Sequence, residues 1–248
     1  MSARKVAFLG ATRGMGRALA RLMAEKGYEL FLLGRNAADL DKSARDLEIR
    51  GGRGPVRVAS CDLMRPETFA PALEAAEAAL GGLDAVVVTA GAFATQDRLE
   101  EDLDLARGVL EADFTNTVVF CEHARRRLLA RGGGTLCVFS SVAGERGRTP
   151  VVLYGAAKAG LSRYLEGLDH RFRAQGLRTV CVKPGFVRTS MTEGLPAPPF
   201  AGRPETVAPL VLRAIERGQP VVYVPRAWRW VMLAVRMLPR AVMRRVGF

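Results

Sequence analysis

A doubly wound α/β domain, with a seven-stranded parallel sheet and helices on both faces, is predicted by three observations. Short apolar runs rich in Val, Leu and Phe alternate with longer stretches of helical period along nearly the whole chain. The run Ala85 to Thr89 is apolar at almost every position, as a strand covered on both faces requires. Glycine clusters at Gly51-Gly52, Gly81-Gly82 and Gly132-Gly133-Gly134 punctuate the ends of the helical stretches.

Taken in order, the strands are expected near 5–10, 29–34, 55–60, 84–90, 134–140, 177–183 and 220–224. Between them, helical patterns start near Gly14, Asn36, Pro66, Leu99, Pro150 and Pro204; proline suits a first helical turn, where its missing N–H costs nothing. Residues 1–191 are read as the core, and 192–224 as a loop, helix and last strand of the same domain. The proline-rich stretch Pro196 to Pro204 should lie over the carboxyl edge of the sheet. Residues 225–248 form a basic amphipathic tail.

The composition excludes disorder and a disulfide scaffold: 248 residues, 49% hydrophobic, with four widely spaced cysteines and two histidines, also offer no metal-ligand cluster. Lys+Arg 37 against Asp+Glu 25 leaves a net charge of +12, which calls for an anionic partner. Met1 to Lys5 lead straight into the first strand, and no apolar run is long enough to span a bilayer. A cytoplasmic protein with free thiols is expected.

Gly10-Ala-Thr12-Arg13-Gly14-Met15-Gly16 follows the first strand and opens the first helix. Glycines at these positions permit a tight turn, backbone approach to a pyrophosphate and close packing of helix on strand. At the end of the second strand, where an acid would bind a ribose 2′-hydroxyl, the chain has Gly34-Arg35-Asn36. Arg35 and Arg13 suit a 2′-phosphate, which favours NADPH/NADP+ over NADH.

Val151-Val-Leu-Tyr154-Gly-Ala-Ala-Lys158 opens a helix, so Tyr154 and Lys158 lie one turn apart on one face. At ~5 Å and an effective dielectric of about 20, the ammonium would favour the phenolate by roughly 3 kcal/mol, or about 2 pKa units. Just upstream, Ser140-Ser141 ends a strand at the same edge, where a hydroxyl could donate to a substrate oxygen.

With the glycine loop and a serine thirteen positions before the tyrosine, the chain resembles the short-chain dehydrogenase/reductase family over essentially its whole length. The resemblance implies that Tyr154 is the acid/base of ketone reduction and that Lys158 lowers its pKa and holds the nicotinamide ribose. It further implies that Ser141 polarises the carbonyl and that Asn116 completes a proton relay. By the same resemblance Asp62 and Leu63 border the adenine, Ala90 and Gly91 keep a close backbone approach, and Pro184, Gly185, Val187 and Thr189 border the carboxamide. Val88-Thr89-Ala90-Gly91 replaces the family's usual Asn-Asn-Ala-Gly, and the first glycine follows Leu9 rather than Thr. These departures bear on bracing of the sheet rather than on the chemistry.

The tail holds Arg226, Arg229, Arg236, Arg240, Arg244 and Arg245 without an acid, beside Trp228, Trp230, Met232, Leu233, Met237 and Leu238. This is the pattern of an interfacial helix broken near Pro239, at home on an anionic membrane, and equally of a lid or oligomer contact. No nucleic-acid recognition motif accompanies it, and nucleic acid is not expected as a partner. Ser140 to Arg148, Tyr154 to Leu161 and the tail look like the branch of decaprenylphosphoryl-2-keto-erythro-pentose reductases. That likeness implies a lipid-linked keto-sugar substrate, a flavin oxidase pathway partner and a place on the inner face of the membrane. The alternatives are a reductase of 3-ketoacyl or other hydrophobic ketones, or a non-catalytic NADP-binding regulator. A homodimer or homotetramer paired through helices near 99–131 and 151–175 is expected from the family.

Overall fold

Seven apolar runs of four to eight residues form one parallel sheet in the computed structural model, which describes residues 4–51 and 54–245. Met1 to Ala3, Gly52 of the Gly51-Gly52 pair and tail residues 246–248 lie outside the described residues. The strands are β1 (Lys5–Leu9), β2 (Glu29–Gly34), β3 (Arg57–Ser60), β4 (Ala85–Val88), β5 (Gly134–Phe139), β6 (Leu177–Pro184) and β7 (Val221–Val224). Their order in the sheet is β3-β2-β1-β4-β5-β6-β7. The order reverses between β1 and β4, and in such sheets the crevice beyond the carboxyl ends at this point is the binding site.

The helices are α1 (Gly14–Glu25), α2 (Ala37–Gly51), α3 (Phe69–Leu80), α4 (Gln96–Glu101), α5 (Leu103–Leu110), α6 (Asn116–Ala130), α7 (Val152–Phe172), α8 (Pro204–Arg217), α9 (Trp228–Met237) and α10 (Arg240–Met243). Strand side chains alternate between two cores. Val6 and Phe8 of β1 pack with Leu19 and Met23 of α1 and with Val211 and Leu212 of α8. Ala7 and Leu9 face Phe69 and Leu73 of α3, Phe120 of α6 and Leu161 of α7. Both faces are therefore dry, and β4 is buried along its whole length.

Two elements depart from the sequence reading. The helical pattern placed near Leu99 begins at Gln96, breaks at Asp102 and restarts, because the Asp102 carboxylate caps a new helix by accepting from Leu105 N–H at 2.9 Å. Between α5 and α6 the chain forms one π-helical turn, Glu111–Thr115. Its wider winding changes the rotational phase of the residues within it and turns Asp113 into the interior, at 0% exposure.

The tail folds back on the domain. Met232 and Val235 of α9 are buried against Val142, and Arg146 Nη2 donates to Leu238 O at 2.8 Å. The helix stops at Leu238 before Pro239, near the break that the proline predicts.

Candidate active site

The first helix begins against a surface shaped by missing side chains. A Cβ on Gly16 would lie 2.2 Å from Gly10 O and 2.4 Å from Thr89 Oγ1, and one on Gly10 would lie 2.5 Å from Ala90 N. Gly10, at φ +97°, and Gly14, at φ +50°, turn the loop through the left-handed region. The first turn of α1 has no acid and no side-chain cap, so its N–H groups are left for an outside acceptor. Thr89, which departs from the family's asparagine, braces this loop by donating from Oγ1 to Gly10 O at 2.9 Å. Thr12 in the loop and Met15 in the first turn of α1 are half-buried.

Around this cradle stand the other residues expected to hold a dinucleotide. Arg35 is exposed just past β2; Arg13, its side chain 73% exposed, pairs with Asp39 of α2 at 2.9 Å. Asp62 Oδ1 accepts from Met64 N–H at 3.0 Å, beside the buried Leu63. Pro184 ends β6, Val187 bridges to Gly202, and Thr189 reaches the loop, 3.2 Å from where a Cβ on Gly14 would sit. Gly185 is covered by Trp228, whose ring atoms lie 2.3 Å from the place of its missing Cβ. Trp228 Nε1 donates to Phe200 O at 3.3 Å, tying the tail to the proline-rich loop. Backbone donors, left-handed turns and absent side chains together fit a dinucleotide pyrophosphate.

The two serines after β5 take different tasks. Ser140 is buried, with Oγ bonded to Lys158 O at 2.9 Å and to Ser162 Oγ at 2.7 Å. Ser141 Oγ accepts from Ala143 N–H at 3.1 Å and lies near enough to the Tyr154 hydroxyl to pull its pKa downward. Gly144 lets this turn lie directly on α7: a Cβ there would sit 2.6 Å from the Lys158 carbonyl carbon. Phe93 stacks edge-on against Tyr154, with centroids 5.1 Å apart. Ala94, Leu99, Ala106, Val109 and Leu153 extend that apolar wall.

Lys158 Nζ lies 5.6 Å from the centroid of the Tyr154 ring and donates to Phe139 O at 3.4 Å. Its ion-pair partner is Asp113 Oδ1 at 3.5 Å, which also accepts from Ala92 N–H at 2.8 Å. The space for this pair comes from Gly91, where a Cβ would lie 2.6 Å from Asp113 Oδ1.

Two expectations change here. Asn116 does not join the tyrosine and lysine: its Nδ2 donates to Leu63 O at 2.7 Å, because the π-turn puts Asp113 at the ammonium and Asn116 one turn further on. The phenol is not lowered overall. Desolvation of the half-buried phenol pushes Tyr154 above its ordinary value and outweighs the downward pull of Lys158, while Asp113 adds to the rise. Burial raises Asp113 against the pull of the ammonium, and Asp113 raises Lys158 despite the opposing effect of burial.

The geometry missed by sequence reasoning is that of Asp113, Phe93 and the Thr89 brace. Thr89 was visible as a hydroxyl next to the glycine loop. Asp113 gave no signal, since an acid within a helical pattern ordinarily reads as a solvated side chain.

A family profile described as short chain dehydrogenase matches residues 4–198. An uncharacterized oxidoreductase of Mycobacterium tuberculosis is 34% identical over 241 residues, covering 97% of this chain and 96% of the relative. A cis-4-hydroxycyclohexanecarboxylate dehydrogenase of Sinomonas cyclohexanicum is 36% identical over 191 residues, 76% of this chain and 75% of that one. The solved structure of a short-chain type dehydrogenase/reductase from Mycobacterium ulcerans superposes with a TM-score of 0.81 at 23% identity, over 90% of each chain, and so shares the fold. With the seven-stranded order and the paired tyrosine and lysine already in place, the match over most of the chain decides the question: this protein belongs to the short-chain dehydrogenase family and is an NAD(P)-dependent oxidoreductase working between CH–OH and C=O.

Proposed function

We propose that the chain is an NADPH-dependent reductase that converts a ketone to a secondary alcohol. The observation that carries this reading is the convergence of Ser141, Tyr154 and Lys158 beside a glycine cradle open to a dinucleotide. The loop from Gly10 to Gly16 would bind the pyrophosphate through backbone N–H groups and the N-terminus of α1. Asp62 and Leu63 would border the adenine, Ala90 and Gly91 would allow a close backbone approach to the cofactor, Lys158 would hold the nicotinamide ribose, and Pro184, Gly185, Val187 and Thr189 would border the carboxamide. Arg35 and Arg13 would hold a 2′-phosphate, with Arg13 leaving its exposed bridge to Asp39, a bond of small worth.

When bound, the reduced nicotinamide supplies a hydride to the carbonyl carbon. Tyr154 Oη gives its proton to the carbonyl oxygen, and Ser141 Oγ donates a hydrogen bond to the same oxygen as negative charge develops there. Burial keeps the phenol protonated and ready to give. The test is Tyr154→Phe: we expect NADPH affinity within about twofold of wild type and turnover lower by roughly 10³-fold. Wild-type turnover in that variant would remove Tyr154 from the reaction.

The Phe93–Leu99–Leu153 wall supports a hydrophobic ketone, and the named activity of the Sinomonas relative makes 4-oxocyclohexanecarboxylate a first probe. A second reading, the keto-sugar of a polyprenyl-phosphate lipid, is favoured by the outer face of the tail. There Trp230, Leu233 and Met237 are exposed beside Arg229 and Arg240, which suits peripheral contact with an anionic bilayer, while Arg236 is held at 3.2 Å by the buried side chain of Glu145. Among the described residues no helix is long and apolar enough to cross a membrane. Exposed Phe114, Val119 and Val152, on or beside α6 and α7, support pairing of two copies through these helices.

A further inference from the structure

Asp113 has no task in the reaction as derived above, yet the fold goes to some expense to place it. A carboxylate at 0% exposure is costly to desolvate, and its Oδ2 has no hydrogen-bond partner among the described residues. Its position requires a π-turn to swing it inward and a glycine at 91 to leave room, since a Cβ there would fall 2.6 Å from Asp113 Oδ1 and 3.4 Å from Lys158 Nζ. Both features serve to bring an acid to one ammonium.

The titratable groups that meet here come from three elements. Tyr154 and Lys158 stand on α7, Asp113 on the π-turn, and Cys181 on β6, its thiol kept protonated by burial. Whichever of Asp113 and Lys158 holds the shared proton, the two together carry no net charge. Carboxylate with ammonium and carboxyl with amine have the same sum. The phenol therefore faces a compensated pair instead of a lone cation.

We propose that Asp113 is a positioning residue of the proton-transfer site: it cancels the charge of Lys158, keeps Tyr154 a phenol through the neutral range, and so sets the site for ketone reduction rather than alcohol oxidation. This rests on the reductase reading above, but its direct test needs no substrate. An alcohol dehydrogenase needs the phenolate as base; a ketone reductase needs the phenol as acid. The anion favours the second by opposing loss of the phenolic proton.

The experiment is titration of tyrosinate absorbance in the full-length, cofactor-free protein, with the Tyr154→Phe protein subtracted to isolate one of the four tyrosines. In the wild type, Tyr154 is expected to ionise above about pH 10. Asp113→Asn keeps the shape and removes the charge, leaving Lys158 uncompensated at 5.6 Å from the ring centroid. The midpoint should then fall by about 1–2 pH units. An unchanged midpoint in a folded Asp113→Asn protein, judged by its melting curve, overturns the proposal. If that variant does not fold, the wild-type midpoint decides, and a value below about 10 overturns it.

A second readout follows turnover. The alkaline limb of kcat/KM for reduction of 4-oxocyclohexanecarboxylate by NADPH should move to lower pH in Asp113→Asn. A limb that stays in place counts against Asp113 alone. Failure of the wild type to oxidise NADPH with any ketone defeats the reductase reading and leaves the absorbance titration to judge Asp113.

Discussion

Gly16→Ala is the smallest change that tests whether the glycine loop is a cofactor cradle or an ordinary turn. Gly16 sits within α1 with ordinary helical φ, so alanine meets no backbone strain and only space matters. The added methyl would lie 2.2 Å from Gly10 O and 2.4 Å from Thr89 Oγ1, whereas real Cβ atoms essentially never come within 3.0 Å. The nearer of these is backbone, which cannot swing aside, so loop and helix must part by roughly 1 Å. Overpacking of this kind costs about 1–3 kcal/mol and should lower Tm by roughly 3–10 °C in a domain of this size. The larger effect should fall on binding. Parting the loop from α1 misaims backbone N–H groups at the pyrophosphate, and each charge-assisted bond lost is worth about 1.5–3 kcal/mol. NADPH affinity should therefore fall by roughly 10- to 100-fold, read from the fluorescence of the bound nicotinamide. Gly147→Ala is the control, because a Cβ at Gly147 meets nothing within 4 Å. Wild-type affinity and Tm in Gly16→Ala would refute the close packing on which the cradle depends.

Arg35→Asp should lower the ratio of kcat/KM with NADPH to that with NADH by roughly 10- to 100-fold, since it replaces a partner of the 2′-phosphate by a group that repels it. An unmoved ratio assigns the phosphate to other residues. Truncation before Pro225 should abolish co-sedimentation with anionic liposomes if the outer face of α9 meets a bilayer. Equal partition of the full-length and truncated proteins would dismiss the membrane reading of the tail.

The strands and most helices were legible because each is a local matter. Runs such as Ala85–Val88 must be strands buried on both sides, and the glycine loop follows from steric rules acting within a few residues. One turn of helix fixes the relation of Tyr154 to Lys158, which needs no tertiary information. The break before Pro239 is local in the same way.

What the chain order could not decide is whatever depends on contacts between distant segments. Asn116 was the residue expected to complete the proton relay, and the π-turn between α5 and α6, which alters helical phase, puts Asp113 at the ammonium. The raised phenol at Tyr154 likewise comes from desolvation of the half-buried ring beside Phe93 together with an acid 41 positions away in sequence; Lys158 pulls the phenol down as its spacing predicts, but that pull does not decide the net direction. The tail was amphipathic on inspection, but which stripe faces inward was settled by Val142 and Gly185 offering surfaces to Met232 and Trp228. Local sterics and periodicity write the frame into the sequence; desolvation and charge compensation arise only once the folded chain brings its parts together.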